Sequence, residues 1–275
     1  MVQKLSESQI NELLSFRFTT KQSPSPLSIS MNLLQDEQAL RDYLEELGKH
    51  IGAANEKVTA SIFMKRYAFL AVIYLYAMTA WNRRLDISIE NVSLESNSQD
   101  ELWLPRFYFN EVCLERVEGD REKWREKGVK ILFHDHLYPL IKSLTKITKV
   151  SKLILWENIA VYIYWLYETV LSKEDVMEGV AGRSQEDFHY LIFQAPGSLF
   201  GSYNENPLKR YYNQQIYLEE LKREVRPRST CCYSYLTKAK KRCVTCPHTC
   251  APCPLISEMT RQEEQALDSG IKGQA

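Results

Sequence analysis

The chain has 275 residues, 44% of them hydrophobic, with 35 basic side chains against 35 acidic ones. That length can bury one or two proper cores, so disulfide scaffolding is not needed to hold it together. The even charge balance gives no whole-molecule attraction to nucleic acid or to an anionic membrane surface, and nucleic acid is not expected as a partner.

Helical signals dominate from the start. Ser6–Phe16 reads as a short helix, and Ser23-Pro-Ser-Pro26 breaks it from Leu27–Met31, whose alternation permits a short strand. Asp36–Gly48 carries Leu40, Tyr43, Leu44 and Leu47 at helical spacing behind an acidic first turn. Glu56–Arg84 reads as one long buried helix. Its apolar stretch, Ala68–Trp81, is shorter than the ~20 residues a bilayer span needs, so a core helix is expected and no membrane span. Leu85–Ser96 alternates imperfectly and, with Glu101–Glu115, suits an antiparallel pair. Helices follow from Asp120 to about Lys146, from Lys152 to about Ser172, and over Asp175–His189, the last ending before the turn signal Gln194-Ala-Pro-Gly197. The polar segment after Ser257 is expected to fray. The fold class is therefore mainly α with a small antiparallel β element. Residues 1–225 form a helical body, 226–256 a cysteine-rich segment and 257–275 a disordered tail.

Six of the seven cysteines crowd into Thr230–Pro254: Cys231 and Cys232 are adjacent, Cys243 and Cys246 form one C-x2-C pair, and Cys250 and Cys253 a second. Free cysteine normally scatters through a core as a small hydrophobe, so this density asks for disulfides, zinc or an iron–sulfur cluster. Disulfides are disfavoured, because Met1–Leu14 is polar and helix-prone rather than a secretory leader. A zinc ribbon separates its two knuckles by roughly 15–20 residues, whereas here only Pro247, His248 and Thr249 intervene. Adjacent side chains in extended chain diverge, which suits two irons better than one small ion. C-C-x10-C-x2-C therefore reads first as a 2Fe–2S ligand set of Cys231, Cys232, Cys243 and Cys246.

Other candidates have plainer readings. His134 and His136 lie two apart on a predicted helix, where they do not share a face, so a structural role is expected for both. His248 is a neighbour that tunes the thiolates rather than a ligand. Trp156, Tyr162, Tyr164, Trp165 and Tyr167 read as core packing with some share in a ligand pocket, and lone Cys113 as buried packing.

The run from Arg228-Ser-Thr-Cys-Cys-Tyr233 to Cys243-Val-Thr-Cys-Pro247 resembles the C-terminal signature of FhuF-type ferric siderophore reductases, which bind a 2Fe–2S cluster through this spacing. His136–Leu140 and Val150–Asn158 resemble the helical segment shared with the C-terminal part of IucA/IucC-type, NRPS-independent siderophore synthetases. Cys250 and Cys253 depart from the basic pattern. The resemblance implies a cytoplasmic oxidoreductase of iron acquisition, with a 2Fe–2S cofactor, passing one electron to Fe(III) in a siderophore of hydroxamate or citrate-hydroxamate type. No dinucleotide or flavin glycine pattern is present, so the electron would come from a ferredoxin or a flavin reductase system.

Between Lys209 and Arg242 there are ten Lys or Arg against three Glu. Such an excess would raise the potential of an anionic cluster and attract anionic chelates. Lys209, Arg210, Arg226 and Arg228 are the candidate substrate-binding residues, chosen for sequence proximity to the cysteines. Three rivals remain: a zinc-binding interaction module, a 4Fe–4S or redox-sensing protein using Cys243, Cys246, Cys250 and Cys253, and a siderophore-synthetase-like protein.

Overall fold

A computed structural model describes residues 4–172, 179–219 and 222–249. The expectations for Cys250, Cys253, residues 173–178 and the 257–275 tail lie outside the described residues. Mainly helical architecture with small sheets is what the chain adopts.

The first helix, α1 (Glu7–Leu14), starts where Ser6 accepts from Gln9 N–H and Gln9 reaches back to the Ser6 amide, a reciprocal cap that satisfies two orphan donors. Strand β1 (Phe18–Thr19) follows, then β2 (Ile29–Ser30) and a 3-10 turn over Met31–Gln35. Helix α2 (Glu37–Ile51) is capped by Asp36 and stopped by Gly52 in the left-handed region, so it runs past Gly48, where the apolar spacing ended it.

The expected single helix over Glu56–Arg84 is corrected in two places. A tightened turn at Ala68 divides it into α3 (Glu56–Tyr67) and α4 (Phe69–Ala80), although Ala68 N–H still donates to Met64 O and Val72 N–H to Ala68 O. It then ends early, because Asn82 takes a left-handed φ of 55° and the chain turns into β3 (Arg83–Leu85). Glu56–Ala80 is long and apolar enough to cross a bilayer, yet 83% of its most apolar window is buried inside the fold. Each large apolar side chain so buried stabilises the fold by about 1.5–3 kcal/mol.

Strands β4 (Val92–Glu95) and β5 (Arg106–Phe109) pair antiparallel with Leu94 opposite Phe107, and β1 and β2 flank them, β1 in parallel. Strand β6 (Leu114–Arg116) pairs with β3, Leu85 facing Leu114. Cys113, expected to be buried, is half-exposed beside this pair, and burial and then Glu111 push its thiol up.

Helices α5 (Arg121–Lys130) and α6 (Tyr138–Thr148) join through a π-helical stretch over Ile131–Leu137. Pro139 supplies the cause: it has no N–H to give the regular ladder, and just before it Tyr138 N–H reaches five residues back to Phe133 O. His136 points inward, bonded to the Tyr67 hydroxyl, while half-exposed His134 pairs with Asp135 at 2.7 Å. Each histidine thus has its own partner. Helix α7 (Lys152–Trp165) continues into a π turn over Leu166–Val170, and α8 (Val180–His189) into another over Tyr190–Gln194. The hairpin β7 (Ile216–Leu218) and β8 (Arg223–Val225) delivers the chain to the cysteines.

Candidate metal centre

After β8 the chain has no long regular element, and its shape is set by a few specific bonds. Arg228 N–H donates to Thr245 O at 2.9 Å, closing a loop that brings the adjacent cysteines alongside the C-x2-C pair. Cys246 N–H donates to Cys243 O at 3.1 Å, forming the turn that aims both thiols the same way. Tyr233 adopts a left-handed φ of 57°, a costly conformation for a bulky residue, and its N–H donates to Cys231 Sγ at 3.4 Å.

The four thiols predicted as ligands meet. Cys232 and Cys243 sulfurs are 3.7 Å apart, and Cys246 makes side-chain contact with both Cys243 and Cys231. Cys231, Cys232 and Cys246 are buried and Cys243 is partly exposed. The contacts run as a chain, and among the described residues no three His, Cys, Asp or Glu side chains are grouped as the shell of one ion.

The thiols shift one another and are flanked by positive charge. The contact with Cys243, then the charges of Arg228 and Lys65, hold the Cys232 thiol well below its ordinary range despite burial. Contacts with Cys231 and Cys243, a backbone N–H from His248 and the Arg242 guanidinium hold Cys246 low as well. Cys243, touching both, is pushed up. Four touching thiols cannot all ionise unaided, because each thiolate disfavours the next. His248 takes part through its backbone.

Two helices hold the segment from behind. On α3, Ser61 Oγ donates to Cys232 O at 3.0 Å and Lys65 Nζ donates to Cys232 Sγ at 3.3 Å. These residues are one turn apart and share a face. On α7, Glu157 accepts from Ser229 N–H at 2.5 Å, from Thr230 N–H at 2.8 Å and from the Thr230 hydroxyl. Its neighbour Asn158 donates to Ser61 O at 2.9 Å and accepts from Arg228 Nη2 at 2.7 Å. Burial works against the Arg228 charge, but Glu157 and then Cys232, Cys243 and Cys231 raise its pKa above the ordinary value. Ser61, Lys65, Glu157 and Asn158 were missed from sequence. One signal was visible for the last two, a polar pair inside an otherwise apolar helical run.

The four candidate substrate-binding cations separate. Arg228 is 2% exposed and faces the thiols from the interior, so it does not meet solvent. Arg226 is tied to Glu168 at 2.6 Å, to Asn213 O, and to the Tyr212 ring at 4.0 Å. Lys209 and Arg210, exposed on a 3-10 turn, line a cleft of about 830 Å³ with Lys152, Trp156 and Tyr203. Trp156 thus contributes to a cavity as well as to the core.

The family model described as ferric iron reductase FhuF-like transporter matches residues 61–220, more than half of the chain. No curated protein matches. The match begins at Ser61 and takes in Lys65, Glu157, Asn158 and the cleft, while the cysteine segment lies beyond its end.

Proposed function

Because the chain belongs to the FhuF-like ferric iron reductase family, we propose that this oxidoreductase reduces Fe(III) held in a siderophore and releases Fe(II) for use in the cytoplasm. The observation that carries the reading is the closure of Cys231 and Cys232 onto Cys243 and Cys246 beside Lys65, Arg228 and Arg242. This donor set fits a 2Fe–2S cluster: four soft thiols in contact, two of them drawn toward the thiolate. Cys231, Cys232, Cys243 and Cys246 would hold it, and the group supplies single-electron transfer.

The protein's own residues prepare that chemistry. Glu157 and Ser61 hold the main chain of Ser229, Thr230 and Cys232, and Asn158 holds Ser61 and the Arg228 guanidinium. Lys65, Arg228 and Arg242 place positive charge on the thiolates, which favours the reduced, more anionic state. No acid–base residue is required. Siderophores of hydroxamate or citrate-hydroxamate type offer hard oxygens that hold Fe(III) far more tightly than Fe(II), so adding one electron loosens the metal. That electron comes from an external donor such as a ferredoxin or a flavin reductase system, since the sequence carries no dinucleotide fingerprint. The reducing cytoplasm suits such thiols.

The test is anaerobic. Protein purified without oxygen is reduced chemically, mixed with a ferric hydroxamate or citrate-hydroxamate, and followed by its absorption and by a ferrous trap. Reoxidation with Fe(II) appearing supports the reading; a reduced protein that persists against several ferric chelates refutes it.

A further inference from the structure

We propose that the cleft beside α7 is where the ferric chelate docks, and that it selects chelates carrying net negative charge. The inference rests on the reductase reading and adds the place and the charge of its substrate. At about 830 Å³ the cleft lies within the range of small-molecule sites, roughly 300–1,000 Å³.

Its lining is unbalanced in charge. Lys152, Lys209 and Arg210 face it against a single carboxylate, Glu205. Lys209 and Arg210 are exposed and make no ion pair among the described residues. Lys152 stands over the Tyr203 ring, its ammonium 5.3 Å from the centroid. Arg226 and Arg228 of the same basic stretch are instead occupied by Glu168 and Glu157. Lys209 and Arg210 thus bring unpaired positive charge to the cleft, where charge-assisted contacts to carboxylate oxygens are available.

The walls are already in place. Trp156 Nε1 donates to Tyr203 Oη at 2.9 Å, and Tyr211 Oη donates to Leu153 O at 2.8 Å. Asn206 Nδ2 donates to Leu191 O at 2.7 Å, and its Oδ1 accepts from Leu208 N–H at 2.9 Å. A Cβ on Gly197 would lie 2.5 Å from Tyr203 O, so those two segments are in contact too close for any side chain. A site fixed in this way spends little binding energy on ordering itself. It is also joined to the thiols. Helix α7 offers Lys152 and Trp156 to the cleft and Glu157 and Asn158 to the metal segment, while Asn213, three residues past Arg210, donates to Ser229 Oγ at 2.8 Å.

Gallium(III) chelates test this, because they copy the ferric complexes without accepting an electron. By titration calorimetry, the anionic gallium complex of a citrate-dihydroxamate should bind the full chain, and a neutral gallium cyclic trihydroxamate more weakly. The double variant Lys209→Glu, Arg210→Glu should weaken the anionic complex at least about tenfold, the loss expected from two charge-assisted contacts, and leave the neutral one unchanged. Affinity of the unmodified protein for the anionic complex should also fall with added salt, a measurement free of any folding defect. Absence of binding by the unmodified protein, equal affinity for both complexes, or affinity insensitive to salt and to the variant would overturn the proposal. Fe(II) release read in parallel separates the two readings. Release with variant-insensitive binding removes the cleft and keeps the reductase; charge-dependent binding without release keeps the cleft and removes the reductase.

Discussion

Glu157 and Arg228 form an ion pair with 3.4 Å between carboxylate and guanidinium, both side chains almost wholly buried, one on helix α7 and the other three residues before Cys231. The carboxylate also takes two backbone N–H groups and a hydroxyl from Ser229 and Thr230, so one side chain anchors the entry to the cysteine segment. Breaking such a pair leaves an uncompensated buried charge. Glu157→Ala is expected to destabilise the protein by about 3–5 kcal/mol and to lower the iron content of whatever folds. Glu157→Gln, which keeps an acceptor, should cost less. Denaturant midpoints with iron per chain check the order Ala below Gln below unmodified protein; equal midpoints would discard the anchoring role.

Iron and acid-labile sulfide should each approach about two per chain in anaerobically purified protein, as a binuclear cluster requires. Cys231→Ser, Cys232→Ser, Cys243→Ser and Cys246→Ser should each remove the cluster or alter its spectrum strongly, whereas Cys113→Ser should not. Loss of the cluster in Cys250→Ser or Cys253→Ser with retention in Cys231→Ser would show that the ligand set is wrong.

Lys65 touches a thiol with its ammonium, 3.3 Å from Cys232 Sγ. Removing that charge disfavours the reduced state, so Lys65→Met should lower the reduction potential by on the order of tens of mV. A redox titration followed by EPR measures it. An unchanged potential would mean that Arg228 and Arg242 carry the charge effect without it.

Burial holds the His136 imidazole down at about 4, with the backbone of Ile87 opposing the shift. Its Nε2 faces the Tyr67 hydroxyl. A base whose folded pKa lies below its unfolded value of about 6.5 stabilises the fold fully above that pH. The stabilisation falls as pH drops, because the unfolded chain takes up the proton first, and it is spent near pH 4. The whole effect is on the order of 3 kcal/mol. Urea midpoints measured from pH 7 to pH 4 should decline with this slope, and His136→Gln should flatten it. An unchanged slope in the variant would assign the acid sensitivity to other groups.

Purified alone, the protein should leave NADPH unoxidised, since its sequence offers no glycine-rich cradle for a dinucleotide. Adding a ferredoxin with its reductase should restore turnover with a ferric chelate. NADPH oxidation by the isolated chain would show a nucleotide site that the motifs do not reveal.

Local patterns explain what could be read in advance. The α2 helix follows from its apolar spacing and acidic first turn, and the antiparallel pairing of Leu85–Ser96 with Glu101–Glu115 from alternation. The single break at Ala68 and the stop at Asn82 were not legible, because Ala68–Trp81 is apolar throughout and periodicity marks no boundary within it. The four thiols were picked out by their spacing and by the family resemblance of that run.

What the sequence by itself determined, then, is the helical class and the C-C-x10-C-x2-C spacing, both encoded in local patterns of the chain. Tertiary structure alone decided which charges serve which place. Lys65 lies 167 residues from the thiol it touches, and Arg228, near the cysteines in sequence, is committed to Glu157 in the interior. Lys209 and Arg210 sit instead on a separate cleft. The physical reason is that charge interactions depend on distance and burial, and both are set by how α3 and α7 pack against the final segment rather than by order along the chain.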